Sequence, residues 1–225
     1  MISEKIKNIK SAMPSGTRLV AVSKTKPASM VEEAYMAGQR LFGENKALEM
    51  RDKHEVLPKD IEWHFIGHLQ TNKIKYIIPY VTLIHSIDSL SLMQAVNKES
   101  AKHERVVDCL LQFHIAKEET KFGLDRDEAE ELLSHYGEMK NVRLVGVMGM
   151  ATNTDDMEQV RSEFRELYSI FSELKRGYFQ GQPWFKEVSM GMSHDWQIAV
   201  EEGSTLIRLG STIFGPRDYG VKVND

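Results

Sequence analysis

The chain has 225 residues, 41% hydrophobic and 28% charged, an ordinary globular balance for one domain, 1-225, of the size single α/β barrels reach. A net charge of −4 without a basic run argues against nucleic acid as the main partner. No apolar run is long enough to span a bilayer, and Met1-Ile-Ser-Glu-Lys-Ile-Lys7 lacks the apolar core of a signal peptide. The single cysteine, Cys109, excludes an internal disulfide and sits in an apolar run as a core residue. Together these features predict a chain of the reducing cytoplasm.

In chain order, residues 2–13 read as a short amphipathic helix broken by Pro14-Ser-Gly16. Residues 18–23 read as a buried strand ending at Lys24, followed by a helix over 29–37 stopped by Gly38. A strand over 40–45 leads into a helix through Val56. The third strand covers 62–67, with a helix from about Thr71; the fourth covers 82–87, with a helix over 89–103. The fifth strand runs 106–115, and a longer connection, 116–124, precedes a helix beginning near Asp125. Strand six covers 143–148, and the longest helix about 156–179. Strand seven covers 185–189, its helix 195–202, and strand eight begins at Thr205. Eight strands alternating with helices predict a parallel sheet, closed as a (β/α)8 TIM barrel with an extra N-terminal helix. An open doubly wound sheet is the alternative. Its dinucleotide-binding form is disfavoured because no Gly-x-Gly-x-x-Gly follows the first strand.

In a barrel the strand ends share one mouth, where reactive groups gather. Here they are Lys24, Asn45, Gly67 with His68, His85 with Ser86, Met148 with Gly149, Ser189 to Ser193, and Arg208 to Thr212. A strand-end lysine either snorkels to solvent or, desolvated, loses its proton and attacks an aldehyde. Gly191, Met192 and Ser193 precede a helix, and Gly210, Ser211 and Thr212 follow the last strand. Each patch alone reads as turn chemistry. Two in consecutive final units match the phosphate site of a barrel.

Arg208 interrupts an apolar strand, so it must pair with a carboxylate such as Glu44 or Glu187, or face the cavity and donate to a ring nitrogen. His64 and His68 have His-x-x-x-His spacing, but they straddle a strand end and a glycine; no metal site is expected. Met148 and Met150 suit either a ring face or core packing. Lys46, Met50 and Lys53 read as an exposed, solvated helix face.

Six segments carry a family resemblance: Ala21-Val-Ser-Lys-Thr-Lys-Pro27, Phe42-Gly-Glu-Asn45, Trp63-His-Phe-Ile-Gly-His-Leu-Gln-Thr-Asn-Lys73, His85-Ser-Ile-Asp88, Ser189-Met-Gly-Met-Ser193 and Ile207-Arg-Leu-Gly-Ser-Thr-Ile-Phe-Gly215. In this order they resemble the pyridoxal phosphate homeostasis proteins, single-domain relatives of the alanine racemase barrel. The likeness runs from about Ala21 to Tyr219. It departs at Lys46, where the family usually has an aromatic residue.

The resemblance implies an alanine racemase N-terminal-domain type barrel that holds pyridoxal 5'-phosphate (PLP) as a Schiff base on Lys24. It implies phosphate contacts from Ser193, Gly210 and Ser211, with Met192 and Thr212 nearby. Arg208 would face the pyridine nitrogen, Asn45 the phenolic oxygen, and His85 would line the pocket below the ring. A guanidinium only donates, so the ring nitrogen stays unprotonated and the ring is a weak electron sink. Racemases of this fold take a second acid/base group, a tyrosine, from a C-terminal domain. This chain ends sixteen residues after strand eight (225 minus 209), and Tyr219 lies in that tail. The expectation is therefore a monomeric PLP carrier that serves PLP-dependent apo-enzymes in vitamin B6 homeostasis. A PLP-dependent racemase or lyase is the first alternative, and a Schiff-base aldolase for phosphosugars the second.

Overall fold

The computed structural model describes residues 1–118 and 122–216, so Tyr219 lies outside the described residues. Eight strands, β1 (Arg18–Val22), β2 (Leu41–Glu44), β3 (Glu62–Phe65), β4 (Leu83–Ile87), β5 (Val107–Phe113), β6 (Val142–Gly149), β7 (Glu187–Ser189) and β8 (Leu206–Leu209), close into a barrel in sequence order. Every neighbouring pair is parallel, including the closing pair, in which Val20 lies opposite Arg208. The closed reading holds, and the open sheet is excluded.

Between the strands run α2 (Ala28–Met36), α3 (Ala47–Val56), α4 (Leu90–Lys102), α5 (Arg126–Ser134), α6 (Met157–Arg176) and α7 (Trp196–Glu201), with α1 (Ile2–Ala12) preceding the barrel. Their starts follow local chemistry. Ser89 accepts from the Leu92 N–H, Asp156 accepts from the Gln159 N–H, and Asp125 forms a reciprocal capping box with Glu128. Alternation along the strands divides the core in two. An outer layer joins sheet to helices through Phe42, Trp63, Phe65, Phe164 and the fully buried Cys109. A smaller inner layer packs Val20, Leu83, Leu110, Val145, Met148 and Leu206 inside the barrel.

Two local expectations are corrected, and the last helix of the alternation is located. The segment after β3 is a six-residue 3-10 turn, Thr71–Tyr76, because Pro79 follows too closely for an α-helix to continue. After β8 the chain makes a further short helix, α8 (Ser211–Phe214). Finally, Met50 and Lys53 are not exposed. With Ala47 they repeat every three residues, and α3 turns that face onto the barrel, leaving Lys46 outside.

Candidate functional site

A cavity of about 400 Å3 opens at the C-terminal mouth of the barrel, within the range that holds a small phosphorylated ligand. It is lined by Lys24, Asn45, Met192, Ser193, Arg208, Gly210 and Ser211 among others. Lys24 occupies the turn between β1 and α2. The next residue, Thr25, has φ of 64°, a left-handed conformation that a β-branched side chain rarely adopts. Asn45 follows β2 at the same rim. A Cβ on Gly67 would lie 2.3 Å from the Asn45 carbonyl oxygen, so only glycine lets the end of β3 approach this closely.

Two loops build the opposite wall. Gly191 has φ of 97°, and a Cβ there would sit 2.7 Å from the Ala199 Cβ. Both constraints require glycine. Asp195 accepts from the Met192 N–H at 2.5 Å and fixes the loop ahead of α7. Burial raises the Asp195 carboxyl above its ordinary value. Ser211, at the start of α8, donates to Ser193 Oγ at 3.0 Å, which joins the loops after β7 and β8. Hydroxyls and turn N–H groups thus gather where barrels place phosphate.

Arg208 is fully inside the barrel yet reaches the cavity. It donates through Nη1 to Ser189 Oγ at 2.7 Å and through Nη2 to the Gly149 carbonyl at 3.2 Å. Neither expected carboxylate is its partner: Glu187 is held by Arg18, and Glu44 by Lys53. Ser189 Oγ, already accepting from the guanidinium, gives its one proton to His85 Nδ1 at 2.9 Å. His85 Nε2 then carries the ring proton and donates to His64 Nδ1, also at 2.9 Å. Burial favours the neutral imidazoles this order needs, bringing His64 down to about 3 and His85 well below its usual value. Burial also brings the Arg208 guanidinium down to about 10, so it stays charged at neutral pH.

The cavity brings together seven of the nine expected site residues. His85 lies one layer below, fully buried in this column, and the exposed Thr212 stands outside the lining. Met150 lines the cavity, whereas Met148 packs in the inner core. His64 and His68 point apart: His64 joins the interior column, and His68 stacks on Phe122 and meets Asp88 Oδ2 at 3.1 Å. The sequence reading missed Lys26, Asn153 and His194, which also line the cavity. Only His194 carried a signal, its place in the loop just before α7.

The donor set suits PLP. Asn45 presents a buried amide oxygen without a partner, a polar group awaiting a ligand at the rim. Lys24 supplies an amine, Arg208 a charged donor, and the paired serines an anion cradle.

A closed parallel barrel with a mouth lysine and phosphate-type loops after its last two strands fits the alanine racemase class of fold, and the family described as alanine racemase, N-terminal domain, matches residues 1–218. Relatives named pyridoxal phosphate homeostasis protein are 40% identical over 203 residues in Aquifex aeolicus, spanning 90% of this chain and 88% of that one. In Escherichia coli the figures are 37% over 213 residues, 93% and 89%. The chain belongs to the pyridoxal phosphate homeostasis protein family. PipY of Synechococcus elongatus, solved with PLP bound, superposes with a TM-score of 0.87 at 33% identity, covering 96% of this chain and all of that one. Alanine racemase from Bartonella henselae shares the fold, with a TM-score of 0.71 at 16% identity over 99% of this chain and 63% of the racemase.

Proposed function

We propose that this chain is a single-domain PLP-binding protein of vitamin B6 homeostasis, with Lys24 as its covalent attachment point. The carrying observation is the one cavity that joins Lys24, Arg208 and the Ser193–Ser211 pair. When bound, the group supplies an aldehyde whose carbon accepts a neutral amine, with its oxygen leaving as water, and a pyridine ring whose electron demand depends on its nitrogen. Lys24 holds the amine at the rim. Ser193, Ser211 and the N–H groups around Gly210 would hold the phosphate, with Met192 nearby, and Asn45 would offer its amide to the phenolic oxygen. Arg208 would donate to the ring nitrogen and, charged at neutral pH, would give it no proton.

That last property supports holding over turnover, and the names of the curated relatives support the same reading. The protein then keeps a reactive aldehyde in bound form and releases it to apo-enzymes, as a monomer in the cytoplasm. Racemisation is the alternative. The exposed His194 at the cavity wall would be a candidate second proton carrier for it.

The test is the visible spectrum of purified protein with PLP before and after borohydride, with peptide mapping of the reduced adduct. A pyridoxyl group on Lys24, absent in Lys24→Ala, supports the assignment; its absence from the wild type overturns it. Chiral analysis of amino acids incubated with loaded protein then separates carrier from racemase.

A further inference from the structure

Beneath the Lys24 turn lies a charged cluster that the site itself does not use. Lys53 is 6% exposed and Glu44 fully buried, between β2 and α3. Lys53 Nζ spends all three of its protons: on Glu44 Oε1 at 2.7 Å, on Glu49 Oε1 at 2.8 Å and on the Ser23 carbonyl at 2.8 Å. Ser23 Oγ donates to Glu44 Oε1 at 2.6 Å, and the Thr25 N–H donates to Glu49 Oε1 at 2.6 Å. The residues on both sides of Lys24 are thus tied to the same three side chains.

We propose that Lys53, Glu44 and Glu49 are positioning residues that set the backbone of the turn presenting Lys24 to the cavity. Stability alone does not explain such a cluster. Burying a charged pair costs about as much as its attraction returns, and well-packed apolar residues often do as well. Glu44 shows the cost: burial pushes its carboxyl up to about 7 despite the neighbouring ammonium, and its Oε2 has no partner. What charge provides and apolar packing does not is directed bonding to particular backbone atoms. The need for it is visible at Thr25. A β-branched residue in the left-handed region persists only where its surroundings over-determine it, and here its N–H is pinned to Glu49. Glu49 in turn is held by Lys53, four residues on along α3. Released, the turn would relax toward ordinary backbone angles and swing the Lys24 side chain away from its approach to an aldehyde.

The inference rests on the PLP reading of the cavity, and the experiment separates the two. Trapped pyridoxyl adduct on Lys24 is quantified at subsaturating PLP in wild type, Glu49→Ala, Glu49→Gln and Lys53→Met, and hydrogen exchange at the Thr25 amide is measured in the PLP-free proteins. Glutamine keeps an acceptor oxygen for Thr25; alanine does not. Glu49→Ala should speed Thr25 exchange and lower adduct yield about fivefold, the equivalent of one lost hydrogen bond, while Glu49→Gln stays within about twofold of wild type. Lys53→Met should lose at least as much as Glu49→Ala. Glu49 is partly exposed, so its variants fold whether or not Lys53→Met does. Wild-type trapping with Glu49→Ala unchanged overturns the clamp, as does an equal fall in Glu49→Ala and Glu49→Gln. No trapping in the wild type overturns the PLP reading instead.

Discussion

Ser189→Ala tests the interior column most directly. The hydroxyl sits between a charged donor, Arg208 Nη1 at 2.7 Å, and a neutral acceptor, His85 Nδ1 at 2.9 Å, and the serine is fully buried. Its removal strands both. A buried group without its partner costs about 1–3 kcal/mol, so the two together cost about 2–6 kcal/mol. The space left by one oxygen is too small for a water to take its place. Arg208 keeps its bond to the Gly149 carbonyl, which anchors the guanidinium but cannot serve His85. Urea unfolding followed by tryptophan fluorescence should therefore show a lower midpoint with an unchanged slope. The bound PLP spectrum should shift as well, because the guanidinium loses one of its two interior supports. A loss of stability below about 1 kcal/mol would refute the claim that Ser189 is an obligatory link between the two residues.

Gly191→Ala should destabilise by about 2–5 kcal/mol, combining left-handed strain with the collision at Ala199, and should weaken PLP binding; a neutral melting shift would contradict this. Acid should also weaken the fold. His64 titrates near 3 folded against 6.5 unfolded, so its stabilisation is complete above pH 6.5 and is lost as pH falls toward 3, by up to about 1.4 kcal/mol per pH unit. His85 acts in the same direction. Glu44, raised from 4.5 to about 7, opposes them as pH falls from 7 to 4.5, which leaves the histidines ahead by one proton. Urea midpoints at pH 7.5 and pH 5 check the sign, and a higher midpoint at pH 5 would contradict it. Cys109 should resist iodoacetamide at neutral pH until urea unfolds the chain, since burial raises its thiol far above the usual range; rapid labelling of folded protein in a mass spectrum would disprove this.

The fold was largely legible because each strand is a short apolar run closed by glycine, proline or polar residues, and because caps such as Asp125 with Glu128 mark helix starts within a residue. The failures came where tertiary contacts decide. The sign of a helix face is invisible when a lysine is drawn inward by carboxylates from elsewhere, as Lys53 is by Glu44. The cavity residues at strand ends could be read because barrel geometry puts all strand ends at one mouth. What sits behind them could not: the partner of Arg208 is a serine on the neighbouring strand β7, not the carboxylate a buried guanidinium would be expected to take. The histidine of β4, expected below the ring, passes the contact on down to β3, which no strand pattern would show.

Barrel closure sets the order in which this site comes into being. Lys24 and Arg208 are 184 positions apart (208 minus 24), yet their strands are adjacent because β1 zips to β8. Nearly the whole chain must be threaded before the amine, the guanidinium and the phosphate loops share one space. A chain emerging from the ribosome therefore lacks the assembled mouth until its last strand docks. Assembly of the cavity is thereby tied to the end of folding, and a cut that let β8 drift would part Arg208 from the Lys24 turn.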